Sequence, residues 1–163
     1  MHLYLDNSYY FITCKTKNGN NYFHSYNLKI FILKTLYNAR VLYNLYPFYF
    51  SILNNHYHFL TYIQKGKILG KVLKQINGNI SRKLSLKSNH SLWEKYYDQI
   101  IETEESFLKT VGYVTGNPLK HGLVKNLNDL QLYQFCNFKQ LIEEYGKIGA
   151  IELVSEVNNF NWE

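Results

Sequence analysis

Two β-rich apolar runs, FYFSIL (48–53) and HYHFLTYI (56–63), are separated only by Asn54-Asn55. A connection that short cannot cross over a sheet, so it makes the two runs antiparallel neighbours in a tight hairpin. The other segments must pack around that pair. SYYFITC (8–14) reads as a first strand followed by a turn at Asn18-Gly19. Ile30, Leu33, Leu36 and Tyr37 give one apolar face to a helix from Leu28 to about Asn44, and Pro47 marks a boundary before the hairpin. After Gly66, the residues Ile68, Val72, Leu73 and Ile76 keep helical spacing, with Lys67, Lys71 and Lys74 on the polar side. KYYDQII reads as a short final strand. TEESFLKTVGYV then reads as a helix capped by Thr103, with Glu104 and Glu105 at its positive end. Pro118 is expected to end that helix near Gly116 or Asn117. FKQLIEEYG reads as a further short helix, and the last dozen residues carry little signal. Strands with hairpin neighbours alternating with helices suggest an α+β sheet-and-helix layer.

Charge is divided unevenly along the chain. No Asp or Glu occurs from residue 7 to residue 93, a block that holds 12 of the 18 Lys and Arg. Residues 94–163 carry 6 basic and 11 acidic side chains. An extended acid-free block favours a polyanion, because each phosphate neutralised releases condensed counterions. Tyr and Phe, 16 and 10 in number, add surfaces on which unpaired bases can stack, although most belong to the core. With 163 residues and no repeat or low-complexity linker, a single domain over 1–163 is expected. The longest apolar stretches, such as NLYPFYFSIL, are too short for a membrane span and no cleavable leader is evident, which points to the cytoplasm. Cys14 and Cys136 lack metal-ligand spacing and read as reduced, partly buried thiols.

On a strand, His56 and His58 point to one face and Tyr57 to the other. Two imidazoles on one face can share a divalent ion, yet a His-x-His strand is by itself more often structural. The acid-free block supplies no carboxylate to join them. His2, His24, His90 and His121 are scattered and read as surface residues.

NNHYHFLTYI resembles the His-hydrophobe-His strand of the HUH nucleases, and Asn55 fits the Asn-His-x-His form of the REP-associated tyrosine transposases. Residues 92–124, LWEKYYDQIIETEESFLKTVGYVTGNPLKHGLV, resemble that family's segment in which a Trp and a Tyr-Tyr-Asp run lead to Tyr-x-x-x-Asn-Pro and Gly-Leu-Val. INGNISRKLS and YFITCKTKNGNNYF resemble its Asn-Gly-x-x-x-Arg stretch and its opening strand and turn. The likeness runs in order over about residues 8–126. It departs from the family at Lys120-His121, where an arginine is common, and at LYQFCNF, which replaces a frequent Trp-Ser-Ser.

The resemblance implies an HUH nuclease fold, a ferredoxin-like antiparallel β-sheet flanked by α-helices. It also implies a metal-dependent single-stranded DNA endonuclease and strand-transferase acting at hairpin-bearing DNA. Tyr113 would be the nucleophile, forming a 5′-phosphotyrosine link, and His56, His58 and Asn117 would hold Mg²⁺ or Mn²⁺. Tyr113 and Asn117 are four apart and share a helix face. Tyr96, Tyr97 and Asp98 read as a strand bordering the site. Lys15, Lys17, Lys65, Lys67, Lys71, Lys74 and Arg82 are candidate DNA contacts, balanced against plain solvated faces. The expected partner is single-stranded DNA with a hairpin, met in the cytoplasm in association with the nucleoid by a monomer or a homodimer. Two alternatives stay open: an HUH replication initiator or relaxase, and a domesticated DNA-binding module without catalysis.

Overall fold

The computed structural model describes residues 4–84 and 91–156; His2 and His90 lie outside them. The elements run β1 (Ser8–Lys15), α1 (Tyr26–Leu42), β2 (Phe48–Ile52), β3 (His56–Ile63), α2 (Leu69–Lys83), β4 (Tyr97–Ile101), α3 (Glu104–Lys120), α4 (Leu127–Leu132) and α5 (Phe138–Ser155). The four strands form one sheet in the order β2-β3-β1-β4, with every pair antiparallel. This is the ferredoxin-like arrangement, α+β, with helices on both faces.

The β2–β3 hairpin closes where the Asn pair predicts, with the Leu53 N–H donating to the His56 carbonyl at 2.9 Å. Neither Asn54 nor Asn55 has a positive φ, so the turn does not depend on the left-handed conformations that usually favour Asn in hairpins. The loop after β1 holds it instead. Thr16 and Phe23 N–H groups donate to the Asn55 and Asn54 carbonyls, each at 2.8 Å, and buried Lys29 donates to Asn54 Oδ1 at 2.6 Å.

Register decides what each face carries. Ile12 lies opposite Phe59 and Cys14 opposite Tyr57, whereas Thr13 lies opposite His58 and Lys15 opposite His56. One face therefore presents Tyr10, Ile12, Phe48, Phe50, Tyr57 and Phe59 to α1 and α2 in a continuous apolar core. The other presents Phe11, Tyr49 and Leu60 to α3, α4 and α5, and its apolar packing stops at the two histidines. The Asn-Gly stretch and the Trp serve the first face. Tyr57 donates its hydroxyl to Asn77 Oδ1 at 2.8 Å, and the Trp93 indole donates to Asn77 O and Ser81 Oγ at 3.2 and 3.0 Å. Anchoring Tyr57 there turns His56 and His58 to the opposite face.

Two helix expectations are corrected. Pro118 does not end α3 near Gly116 or Asn117 but sits inside the helix, which runs to Lys120. Residues Thr110 to Pro118 are all buried, and their packing outweighs the single N–H that proline lacks. The last turn closes through His121 N–H to Asn117 O at 3.0 Å and Leu123 N–H to Pro118 O at 2.9 Å, before Gly122 leaves the helix at φ 69°. The short helix expected at FKQLIEEYG continues past a break at Gly146 to Ser155, because Ala150 and Val154 add buried contacts on the far side of that break. α3 and α5 meet at glycine. A Cβ on Gly112 would lie 2.1 Å from Leu153 O, and one on Gly116 would lie 2.7 Å from Val154 Cγ1.

Candidate active site

β3 and α3 build the site between them. His56 and His58 occupy successive same-face positions on β3, with ring centroids 4.7 Å apart. Tyr113 and Asn117 on α3 and His121 at its C-terminal cap follow one another at four-residue spacing, and this stripe faces the histidine strand. The Tyr113 ring stands edge-on to His58 at 5.5 Å and to Phe11 at 5.8 Å. The His121 ring approaches His56 to 5.1 Å. Phe11, Thr13, Lys15, His56, His58, Tyr97, Tyr113 and His121 line one cavity of about 370 Å³, and no carboxylate is among its lining residues.

The hydrogen bonds on the imidazoles set which nitrogen faces inward. Asn55 Nδ2 donates to Gly19 O at 3.1 Å, so Asn55 Oδ1 is the acceptor that faces His56 Nδ1 at 2.6 Å. That makes Nδ1 the protonated nitrogen and leaves Nε2 with its lone pair. His58 Nδ1 pairs with Thr13 Oγ1 at 2.8 Å. In the tautomer that donates to Thr13, His58 Nε2 is likewise a free base. Among the described residues, Ser51 Oγ, His58 Nε2 and both polar atoms of the Asn117 amide are buried without a hydrogen-bond partner. Such orphans are costly and rare, and those on His58 and Asn117 belong to the strand and helix that face each other across the site.

Electrostatics keeps both imidazoles neutral. Burial, followed by the nearby His121 and Lys15, pushes His56 down to about 4, opposed by the Asn117 amide. Burial, followed by His56, His121 and Lys120, holds His58 well below the usual imidazole range. Neutral imidazole is the form that coordinates a metal. No group of three or more His, Cys, Asp or Glu among the described residues is arranged to hold an ion. The residues that could hold one together are His56, His58 and the Asn117 amide oxygen, a set that would leave positions for substrate oxygens.

The expected site residues do not all converge. Lys15 lines the cavity, and exposed Lys17 follows β1. Lys67, Lys71 and Lys74 are exposed on α2 or the turn before it, as is Arg82, which hydrogen-bonds Asn79. α2 packs on the opposite face of the sheet, so these four do not line the cavity. Two residues were missed in the sequence. His121 reads there as a scattered surface residue, and because the helix was expected to stop at Pro118 its four-residue spacing from Asn117 went unused. Lys120 places its ammonium 4.8 Å above the Tyr113 ring.

No family profile and no curated protein matches the chain by sequence. Among solved structures, a REP-associated tyrosine transposase bound to a REP hairpin superimposes with a TM-score of 0.68 at 17% identity, covering 86% of this chain and 82% of that one. A putative transposase from Deinococcus radiodurans gives a TM-score of 0.47 at 15% identity, covering 70% of this chain and 93% of that one. The chain has the fold of the first of these, a REP-associated tyrosine transposase, the family its motifs resemble.

Proposed function

We propose that the protein is a single-tyrosine HUH transposase, a DNA nicking and joining enzyme that acts on single-stranded DNA at hairpins. One observation carries the reading: Tyr113 on α3 is packed against His58 of the histidine pair on β3, where His58 Nε2 and the Asn117 amide are buried without partners. The fold shared with a transposase that binds a REP hairpin supports it.

The chemistry follows from the geometry. Lys15 and Lys120 draw a phosphodiester into a cavity without carboxylates. Asn55 and Thr13 fix the two rings so that His56 and His58 present neutral nitrogens, and Asn117 adds its amide oxygen. Mg²⁺ or Mn²⁺ held by these three would polarise the scissile phosphate and offset its developing charge. The Tyr113 oxygen attacks phosphorus as its proton leaves to solvent. The bond from phosphorus to the 3′ oxygen breaks, and that oxygen takes up a proton to become a 3′-OH. The phosphotyrosine conserves the bond energy, so an incoming 3′-OH can reverse the step and join strands. Because Tyr113 lies against His58 of its own chain, attack within one subunit is the arrangement this reading adopts.

The test is incubation with labelled hairpin oligonucleotides and Mn²⁺ or Mg²⁺, followed by a denaturing gel. A covalent protein–DNA band that disappears in Tyr113→Phe and with chelator is the expected result, with a loss of at least about a thousandfold, the scale on which enzymes depend on a nucleophile. The second reading, a binding module without catalysis, is favoured by the burial of Tyr113, which is only 3% exposed. Salt-dependent binding with no adduct from any hairpin would select it.

A further inference from the structure

The sheet carries an aromatic surface next to the histidine pair that the proposed chemistry does not use. Ser51, His58, Thr13 and Tyr97 form one row across the sheet, each lying opposite the next on the neighbouring strand. α3 covers β2 and β3, so His58 is buried, whereas Tyr97 on the outer strand β4 is 50% exposed. Its ring has two contacts that favour one orientation. The Tyr97 hydroxyl donates to Gln99 Oε1 at 3.2 Å, and Phe11 meets the ring edge-on at 6.3 Å. Tyr97 and Phe11 line the same cavity as His56, His58 and Tyr113.

We infer that Tyr97 is a stacking platform for the unpaired nucleobase adjoining the phosphate held at His56 and His58. This rests on the nuclease reading of the site and adds the position of one flanking base. Two strand spacings separate the Tyr97 and His58 backbones, roughly 10 Å, about the reach of a nucleotide from its phosphate to the far edge of its base. The ring is already oriented, so stacking costs little side-chain entropy. Every base has a π-face, and the contact therefore selects an unpaired base without selecting its identity. Lys15, exposed and in the same cavity, is placed for the phosphate of that nucleotide.

The experiment uses hairpin oligonucleotides with an unpaired arm in which 2-aminopurine is placed at each arm position in turn, bound to the full chain with Tyr113→Phe to prevent cleavage. Fluorescence reads stacking and anisotropy reads affinity. Quenching at one arm position, lost in Tyr97→Leu and kept in Tyr97→Trp, is expected, with affinity falling roughly 5- to 150-fold in the leucine variant. The slope of log affinity against log salt should stay the same, because no charge is removed. A purely structural role for Tyr97 would instead lower the melting temperature and leave the quenching pattern in place. Quenching unchanged in Tyr97→Leu, or binding with no quenched position, overturns the stacking role alone. A metal-dependent Tyr113 adduct in the otherwise native chain is scored separately, so the nuclease reading stands or falls on its own result. Absence of binding to every hairpin overturns the stacking role, while absence of the adduct overturns the nuclease reading.

Discussion

The two faces of the sheet solve opposite problems. Against α1 and α2 the sheet buries Phe48, Phe50, Tyr57 and Phe59, and the buried tyrosine hydroxyl finds a partner in Asn77. Against α3 the sheet begins in the same way, with Phe11, Tyr49 and Leu60, but then gives way to His56, His58 and a cavity. There His58 Nε2 and the Asn117 amide have no partner. The first face is finished by its own side chains; the second is finished only by something that donates or accepts at those atoms. Strand periodicity produces both, since each strand sends alternate residues to alternate faces.

The comparison is broken most forcefully on the closed face. Phe59→Ala removes a fully buried ring stacked on Phe48 at 5.3 Å and should cost about 3–5 kcal/mol in chemical denaturation. An unfolding midpoint close to that of the unmodified chain would show that this face is not the main source of stability.

Acid should act on the open face. The folded-state values of His56 and His58 lie below that of an ordinary imidazole. The unfolded chain therefore binds more protons than the folded one below about pH 6.5. The stability associated with keeping both rings neutral is fully present above that pH and is lost as pH falls toward about 4, the value for His56. For His56 the loss is on the order of 3 kcal/mol. Denaturant titrations of metal-free protein between pH 7 and pH 4 measure it. A His56→Gln, His58→Gln chain that shows the same acid sensitivity would place the effect elsewhere.

The smallest effect has the unusual sign. Asn117→Leu replaces two orphaned polar atoms by apolar atoms of similar shape and should raise stability by about 1 kcal/mol, while lowering Mn²⁺ affinity in calorimetry. A destabilised variant would mean that Asn117 is satisfied in the folded chain and is not reserved for a ligand.

Much of this was legible locally. Asn54-Asn55 between two β-rich runs set the hairpin, and the His-x-His alternation put both rings on one face without any knowledge of the rest of the chain. Four-residue spacing did the same for Tyr113 and Asn117. Local rules failed where long-range packing competed with them. Pro118 reads as a helix end, yet burial from Thr110 to Pro118 carries α3 through it and brings His121 to His56. The break at Gly146 hides the rest of α5, which is held by contacts of Ala150 and Val154 with residues distant in sequence.

The sequence by itself determined the four strands, the helices α1 and α2 and the start of α3, the shared faces of the His pair and of the Tyr113–Asn117 pair, and a basic, acid-free block, because each depends only on near neighbours or on a sum; α4, the end of α3 and the second half of α5 were not among them. Tertiary structure alone decided that those two faces meet and that the lysines of α2 lie behind the sheet. It also left Tyr97 uncovered beside the cavity. These outcomes depend on strand order and register, on which face each helix covers, and on how closely Gly112 and Gly116 let α5 press α3 toward the sheet, and none of those is encoded in any single stretch of the chain.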